Sequence, residues 1–129
     1  MDRHNIIIAE VGDVLGLPLN FDEEGICALQ FDETLLVSLH VWENDSWLLT
    51  GVLSESLPAE MGEAFWKRVL SCNGELAREN AGSIVYSDGS GSLLLTDTIT
   101  ELSNVHAIVA RLERFVNRQE YLISELQRE

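Results

Sequence analysis

Basic residues are scarce in this chain. Lysine and arginine total 8 against 22 aspartates and glutamates in 129 residues, so the net charge is −14. A surface of this sign repels nucleic acid and anionic membranes. The composition therefore argues against both as partners and favours a partner of basic or mixed charge, although acidity that serves solubility alone gives the same composition.

Cysteine is almost absent as well. The two cysteines, Cys27 and Cys72, lie in different predicted elements and match no metal-ligand spacing. The acidic run Asp22-Glu23-Glu24 lacks the ligand periodicity of a calcium loop. We predict free thiols in a reducing compartment, no metal site and no cofactor.

Long apolar runs are missing. No stretch reaches the ~18 apolar residues of a transmembrane helix, and Met1-Asp2-Arg3-His4-Asn5 has no basic region leading into an apolar one. Hydrophobic residues still make up 46% of the chain, which is enough for a packed core. We expect a cytoplasmic protein with one domain over residues 1–129.

Helical periodicity is clearest near the two ends of the sequence. Residues 3–16 predict a helix that ends at Gly16 in the left-handed conformation. Residues 104–127 predict a longer helix behind Ser103 as N-cap, with Gln119 as the one polar interruption of its apolar stripe.

A third helix is predicted in the middle of the chain. It opens at Leu57-Pro58, since proline suits a first helical turn. It is predicted to end near Cys72, with Asn73-Gly74 as the stop and residues 75–81 as an irregular polar connection.

Five segments predict strands: 26–31, 35–42, 47–53, 83–87 and 92–99, with side chains that point alternately to the two faces of a sheet. Short links, including a hairpin loop over Glu43–Ser46, predict antiparallel pairing. The order α-β-β-β-α-β-β-α indicates the α+β class, with three helices on an antiparallel sheet of about five strands.

The first three strands are apolar on both faces. One face can pack on helices, and the opposite face carries Ile26, Ala28, Leu36, Trp42 and Leu48 or Leu49. Either the domain dimerises, or it leaves apolar patches for a partner, or the first and third helices cover both faces. Trp42 and Trp47 flank the second hairpin and are predicted to stack as a cross-strand pair.

Residues for catalysis do not cluster. His4, His40 and His106 fall in separate elements, and none stands in a local signature with a nucleophile. Asp88-Gly89-Ser90-Gly91 looks like a phosphate loop but lacks the lysine and the following helix that such a loop needs. We predict a protein that is not an enzyme.

Three stretches carry a resemblance to a known family: Leu15–Leu19 leading into Phe21-Asp22-Glu23, Gly25–Asp32, and Leu112–Val116. In this order and at these separations they resemble the class I type III secretion chaperones (the Tir chaperone family) of Gram-negative bacteria. The stretch Asn73–Asn80 is more polar than the family pattern, which puts the local dimer interface in question.

The resemblance implies an α+β homodimer that binds the extended, non-globular N-terminal segment of a secreted effector. The implied groove, from the first helix and first three strands, consists of Ile7, Ile8, Val11, Leu29, Phe31, Leu36, Trp42 and Leu49. The implied dimer interface consists of Phe65, Trp66, Val69 and Leu70. An open strand edge also allows an extended peptide to pair with the sheet. The alternative is a regulatory or adaptor protein of the same fold that binds a folded partner.

Overall fold

The computed structural model describes residues 2–58 and 60–127, and its elements follow the predicted order. Their bounds are α1 Asp2–Leu15, β1 Ile26–Phe31, β2 Leu35–Trp42, β3 Ser46–Ser54, α2 Glu63–Glu79, β4 Ser83–Ser87, β5 Ser92–Ile99 and α3 Val105–Leu126. A 3-10 turn over Glu43–Asp45 joins β2 to β3. The predicted bounds of β1, β2, β4 and β5 are confirmed, and β3 is one residue longer at each end.

The strands form one antiparallel sheet in the order β1-β2-β3-β5-β4. After α2, the chain enters the sheet at the far edge as β4, and β5 then returns to pair with both β4 and β3. The two edge strands are therefore β1 and β4, one at each side of the sheet.

All three helices lie against the same side of this sheet. We call that side the inner face; its side chains include Leu29, Leu39, Leu49 and Leu95, which are at most 6% exposed. Helix α3 contacts β2, β3 and β5, α1 packs on α3, and α2 packs on β4 and α3. The alternating side chains form the outer face, where Leu36 remains 40% exposed. The possibility that the first and third helices cover both faces is therefore wrong.

A buried glutamine joins α3 to the sheet. Gln119 is 0% exposed, and its Nε2 donates to the backbone oxygens of Leu36 and Val52 at 3.0 Å each. Val37 opposite Gly51 is the last pair of β2 and β3 at this end of the sheet, so Leu36 and Val52 lie just beyond the paired residues. The Gln119 side chain therefore binds the two strands where their own pairing ends. The polar residue that interrupts the apolar stripe of α3 thus connects this helix to the sheet.

Helix α2 starts later than predicted. It begins at Glu63 behind Gly62 as N-cap, and Leu57-Pro58 lies outside it. The backbone N–H of Leu57 instead donates to the oxygen of Gly91 at 2.9 Å. This bond ties the segment before α2 to the turn between β4 and β5.

Helix α2 also ends later than predicted. It runs through Asn73-Gly74 to Glu79, and its C-cap Asn80 has a left-handed φ of 52°. Asn73 accepts from the N–H of Ile84 at 2.6 Å and donates to its oxygen at 3.2 Å, and Leu76 is 2% exposed in the core. These tertiary contacts outweigh the local stop signal.

The N-cap of α3 is Asn104 and not Ser103. Asn104 Oδ1 accepts from the backbone N–H of Ala107 at 3.1 Å. The Ser103 hydroxyl is engaged elsewhere, because it donates to Glu101 Oε1 at 2.5 Å. That hydrogen bond, together with one from the Ser103 backbone, lowers the pKa of the Glu101 carboxyl.

The predicted stacking of Trp42 on Trp47 is wrong. The 3-10 turn sets Trp42 opposite Ser46 and Val41 opposite Trp47, so the two indoles point to opposite faces. Trp47 is fully buried on the inner face, and its Nε1–H donates to His4 Nδ1 at 3.0 Å. Trp42 lies on the outer face and is 47% exposed.

The two cysteines are buried core residues without a disulfide. Burial is the main cause that raises the pKa of both thiols, and Asp22 near Cys27 and Glu75 near Cys72 add to it. Raised pKa values leave less thiolate at neutral pH, so both residues behave as small apolar side chains.

Candidate partner-binding surfaces

An apolar cleft opens where the end of β1 meets α1 and α3. It encloses about 240 Å³ and is lined by Leu15, Phe31, Leu112, Glu113, Val116 and Asn117. Phe31 is half-buried and packs on the core. The cleft is large enough for an apolar side chain of a partner, and Glu113 adds a negative charge beside it.

The cleft lies next to a strand edge that can accept a peptide. Strand β1 pairs with β2 on one side and is the outermost strand on the other. Phe31 is its last residue and is followed by the tight turn Asp32-Glu33. An extended chain that pairs with β1 therefore places its side chains near the cleft.

A second exposed apolar patch joins α2 to β4. Trp66 is 37% exposed, Leu70 68% and Tyr86 50%. The Trp66 ring meets Phe65 and Tyr86 edge-on, with centroids 5.1 Å and 6.4 Å away. Aromatic side chains that remain exposed in this way are typical of protein interfaces.

The predicted groove residues divide between surface and core. Ile8, Val11, Leu29 and Leu49 are 0–6% exposed and have almost no free surface. Ile7 and Phe31 are half-buried, while Leu36 and Trp42 are exposed on the outer face. The structure thus does not gather the set into one groove, and a role of its members in binding stays a prediction.

The predicted dimer residues divide in the same way. Val69 is 5% exposed and belongs to the core, and Phe65 is half-buried against it. Trp66 and Leu70 lie on the surface. Sequence reasoning missed Tyr86, whose aromatic side chain in a short edge strand was the available signal.

The cleft residues of α1 and α3 were missed as site residues too. Leu15, Leu112 and Val116 belong to apolar stripes that predict core, and only their position beside Phe31 reveals a shared cleft. Their helical spacing identifies an apolar stripe on each helix. It does not predict which part of that stripe α1 and α3 cover on each other and which part stays open as a cleft.

The structure of residues 2–58 and 60–127 shows no cluster of candidate metal ligands. Over that part of the chain, no three His, Cys, Asp or Glu side chains are placed to hold a metal ion. His4 contacts Trp47, and His40 lies on the outer face against Trp42. None of the helices that the structure describes is long and apolar enough to cross a membrane.

Comparison with known proteins identifies the family of this chain. The model of the Tir chaperone protein (CesT) family matches residues 6–122. The chain belongs to this family. The resemblance predicted from the sequence is thereby confirmed.

Solved structures share the fold of this Tir chaperone family member. A chain of the ExsC–ExsE complex is 24% identical, with a TM-score of 0.78 over 97% of this chain and 94% of that one. The HopA1–SchA chaperone–effector complex gives 16% identity and 0.76 over 96% and 98%. The ExoU–SpcU complex of the Pseudomonas aeruginosa type III secretion system gives 18% and 0.68 over 95% and 97%.

Proposed function

We propose that this chain is a type III secretion chaperone. As a homodimer it binds the non-globular N-terminal segment of a secreted effector and keeps that segment soluble and competent for secretion. Family membership supports the class of protein, and the chaperone–effector complexes of the same fold support the class of partner. The observation that carries the proposal is the open apolar cleft around Phe31 beside the outer edge of β1, which is covered only at its first residue, where Ile26 is hydrogen-bonded to Asp22.

Binding is stoichiometric. The effector segment pairs its backbone with β1 and inserts apolar side chains into the cleft, so affinity combines main-chain hydrogen bonds with apolar burial. Burial contributes roughly 25 cal/mol per Å², reduced by the entropy lost when the segment is ordered. Of the predicted groove, only Phe31 lines this cleft; Ile7 is half-buried, and Leu36 and Trp42 offer a separate surface on the outer face.

The homodimer uses the patch on α2 and β4. Trp66, Leu70 and Tyr86 are apolar, contiguous and exposed, and a second copy buries them symmetrically. The patch lies on the edge of the sheet opposite to β1. One dimer therefore offers two separate β1 edges to the effector.

Catalysis has no part in the proposal. The family is a chaperone class, which supports a binding role. We place the single domain, residues 1–129, in the cytoplasm, where effectors are held before export.

The test is co-expression with the neighbouring reading frame, followed by limited proteolysis and mass measurement of the complex. We expect a protected N-terminal effector fragment bound to two copies of this chain. Phe31→Asp places a charge in the cleft, and Leu36→Asp places one on the outer face. Each is expected to abolish binding while leaving a folded dimer.

Leu70→Asp separates the two proposed surfaces, because it adds the same charge to the patch on α2 and β4 and leaves the cleft unchanged. It should break the dimer without filling the cleft. Unchanged binding by Phe31→Asp contradicts the cleft assignment. Protection of a folded partner domain, instead of an N-terminal fragment, favours the regulatory alternative.

A further inference from the structure

The outer face of the sheet is free of charge. None of its side chains is Asp, Glu, Lys or Arg on any of the strands as the structure describes them, although charged residues make up 23% of the chain. A solvated sheet face normally carries polar and charged residues. Depletion of charge is instead a property of interface centres.

Small side chains form a trough across this face. One register row crosses all five strands and consists of Ala28, Ser38, Thr50, Thr96 and Ser83. On β1, β2 and β3 this row has larger side chains on both sides; on β5 and β4 it lies below Leu94 and Val85 on one side only, because Thr98 is no larger than Thr96.

Larger side chains border the trough on one side over all five strands and on the other side over β1, β2 and β3. On one side, Leu94 stands opposite Val52 and Val85, with Leu36 one strand further. On the other side, His40 stands opposite Ile26 and Leu48. None of these apolar side chains lies beneath a helix, since the helices occupy the inner face.

The dimensions of the trough fit an α-helix. The bordering rows are four residues apart along β1, β2 and β3, or about 13 Å, and a helix with its side chains is about 10–12 Å wide. Crossing five strands takes about 19 Å, which corresponds to about 13 helical residues. A helix also satisfies its own backbone hydrogen bonds, which this face of side chains cannot do for an extended segment.

The charged residues around the outer face determine which charge a helix bound there should carry. Residues 4–66 and 79–110 contain no lysine or arginine, and these two stretches include every strand and every turn between paired strands. Exposed acids stand at both ends of the strands, with Glu33 and Asp88 at one end and Glu24 and Glu43 at the other. A basic rim on the occupant complements them.

We propose that the outer face docks a basic amphipathic helix of about 13 residues that belongs to the effector. The inference rests on the proposed chaperone function and adds a second kind of site to the strand edge and cleft. The apolar side of the helix lies over the trough, and its lysines or arginines reach the acids at the strand ends. The effector segment thus binds partly as a strand and partly as a helix.

The test uses a fluorescent 14-residue leucine/lysine amphipathic helix as the probe, with its leucine/glutamate counterpart as the charge control. We expect the lysine peptide to bind, with NMR amide shifts centred on Ser38, Thr50 and Thr96. Thr50→Lys fills and charges the trough and should weaken binding at least about tenfold. Ser124→Lys adds the same charge to the exposed side of α3 and should change affinity less than about twofold.

Thr96→Lys is the second variant and should act like Thr50→Lys, with circular dichroism to verify the fold. Equal affinities of Thr50→Lys and Ser124→Lys, or shifts confined to the helices, overturn the proposal. A loss of dimer mass in Thr50→Lys means that a second copy occupies the face, which also overturns it. If Thr50→Lys keeps full affinity for the co-expressed effector, the helix site is refuted while the chaperone function stands.

Discussion

On the inner face of the sheet, Leu39, Leu49 and Leu95 are 0% exposed beneath the helices, whereas Leu36 and Val85 on the outer face are 40% and 39% exposed. Both sets alternate along the same strands and have similar side chains. Strand propensity therefore does not distinguish them. The exposed fractions differ because all three helices pack on the inner face and none packs on the outer face.

The two faces also treat polar groups differently. On the inner face Gln119 and Trp47 are fully buried, so each polar atom needs a specific partner. On the outer face, Ser38, Thr50 and Thr96 are only half-buried, and the Thr96 hydroxyl donates to the Ser83 backbone oxygen at 3.4 Å. Matched substitutions should therefore lower the free energy of unfolding strongly when they affect inner-face contacts and only weakly when they affect the outer face.

The largest effect is expected at Gly51. A Cβ there would lie 2.8 Å from Gln119 Cδ and 2.9 Å from Phe115 Cε2, both in the packed core. Gly51→Ala should lower the free energy of unfolding by about 3 kcal/mol, measured in urea. Gly89→Ala is the control, because a Cβ at Gly89 meets nothing within 4 Å. Equal midpoints for the two variants would mean that α3 moves aside freely.

Gln119→Leu should cost about 2 kcal/mol in the same measurement. The substitution keeps the volume but leaves the buried oxygens of Leu36 and Val52 without their donor. Gln30→Leu on the outer face removes one exposed hydrogen bond, to the Glu33 oxygen, and should cost less than about 0.5 kcal/mol.

A gain of stability in Gln119→Leu would be informative as well. Gln119 Oε1 is buried and has no hydrogen-bond partner in the part of the chain that the structure describes. If Gln119→Leu stabilises the protein, the cost of burying that oxygen exceeds the gain from both bonds to the sheet.

His4→Phe should cost about 1 kcal/mol, because the Nε1–H of buried Trp47 loses its acceptor while the ring contacts are kept. His40→Phe is the matched change on the outer face, where the ring packs on exposed Trp42. It should leave the denaturation midpoint within error. A larger loss for His40→Phe would show that the outer face is more tightly packed than its exposure indicates.

Sequence patterns predicted the strands well, because β1 and β2 alternate strongly and end at clear turn signals. They failed at the end of α2, where Asn73-Gly74 reads as a stop but the Asn73 amide bonds to the backbone of Ile84. That partner lies eleven residues away in sequence. No local pattern contains it.

The candidate site was harder to predict for a related reason. The predicted groove combined Leu29 and Leu49 of the inner face with Leu36 and Trp42 of the outer face. Alternation separates the two sets but does not say which one the helices will cover. The cleft around Phe31 needs contacts among α1, β1 and α3, which become neighbours only in the folded chain.

The smallest expected effect is a gain, at the turn between β1 and β2. Asp32 and Glu33 have φ of 52° and 65°, and Thr34 N–H donates to the Phe31 oxygen at 3.2 Å, as in a tight hairpin. Such turns favour glycine, so Glu33→Gly should raise the free energy of unfolding by about 0.5–1 kcal/mol.

Glu24→Gly is the control for that gain, because Glu24 has no positive φ and there glycine adds only flexibility to the unfolded chain. It should lower stability or leave it unchanged. Since Glu33 follows the cleft residue Phe31 by two positions, effector affinity should be measured with stability. Glu33→Gln removes the same charge but keeps a side chain at this φ. Weaker binding by Glu33→Gly than by Glu33→Gln would mean that the strained turn holds Phe31 in place for the partner, and equal affinities would confine the strain to the hairpin itself.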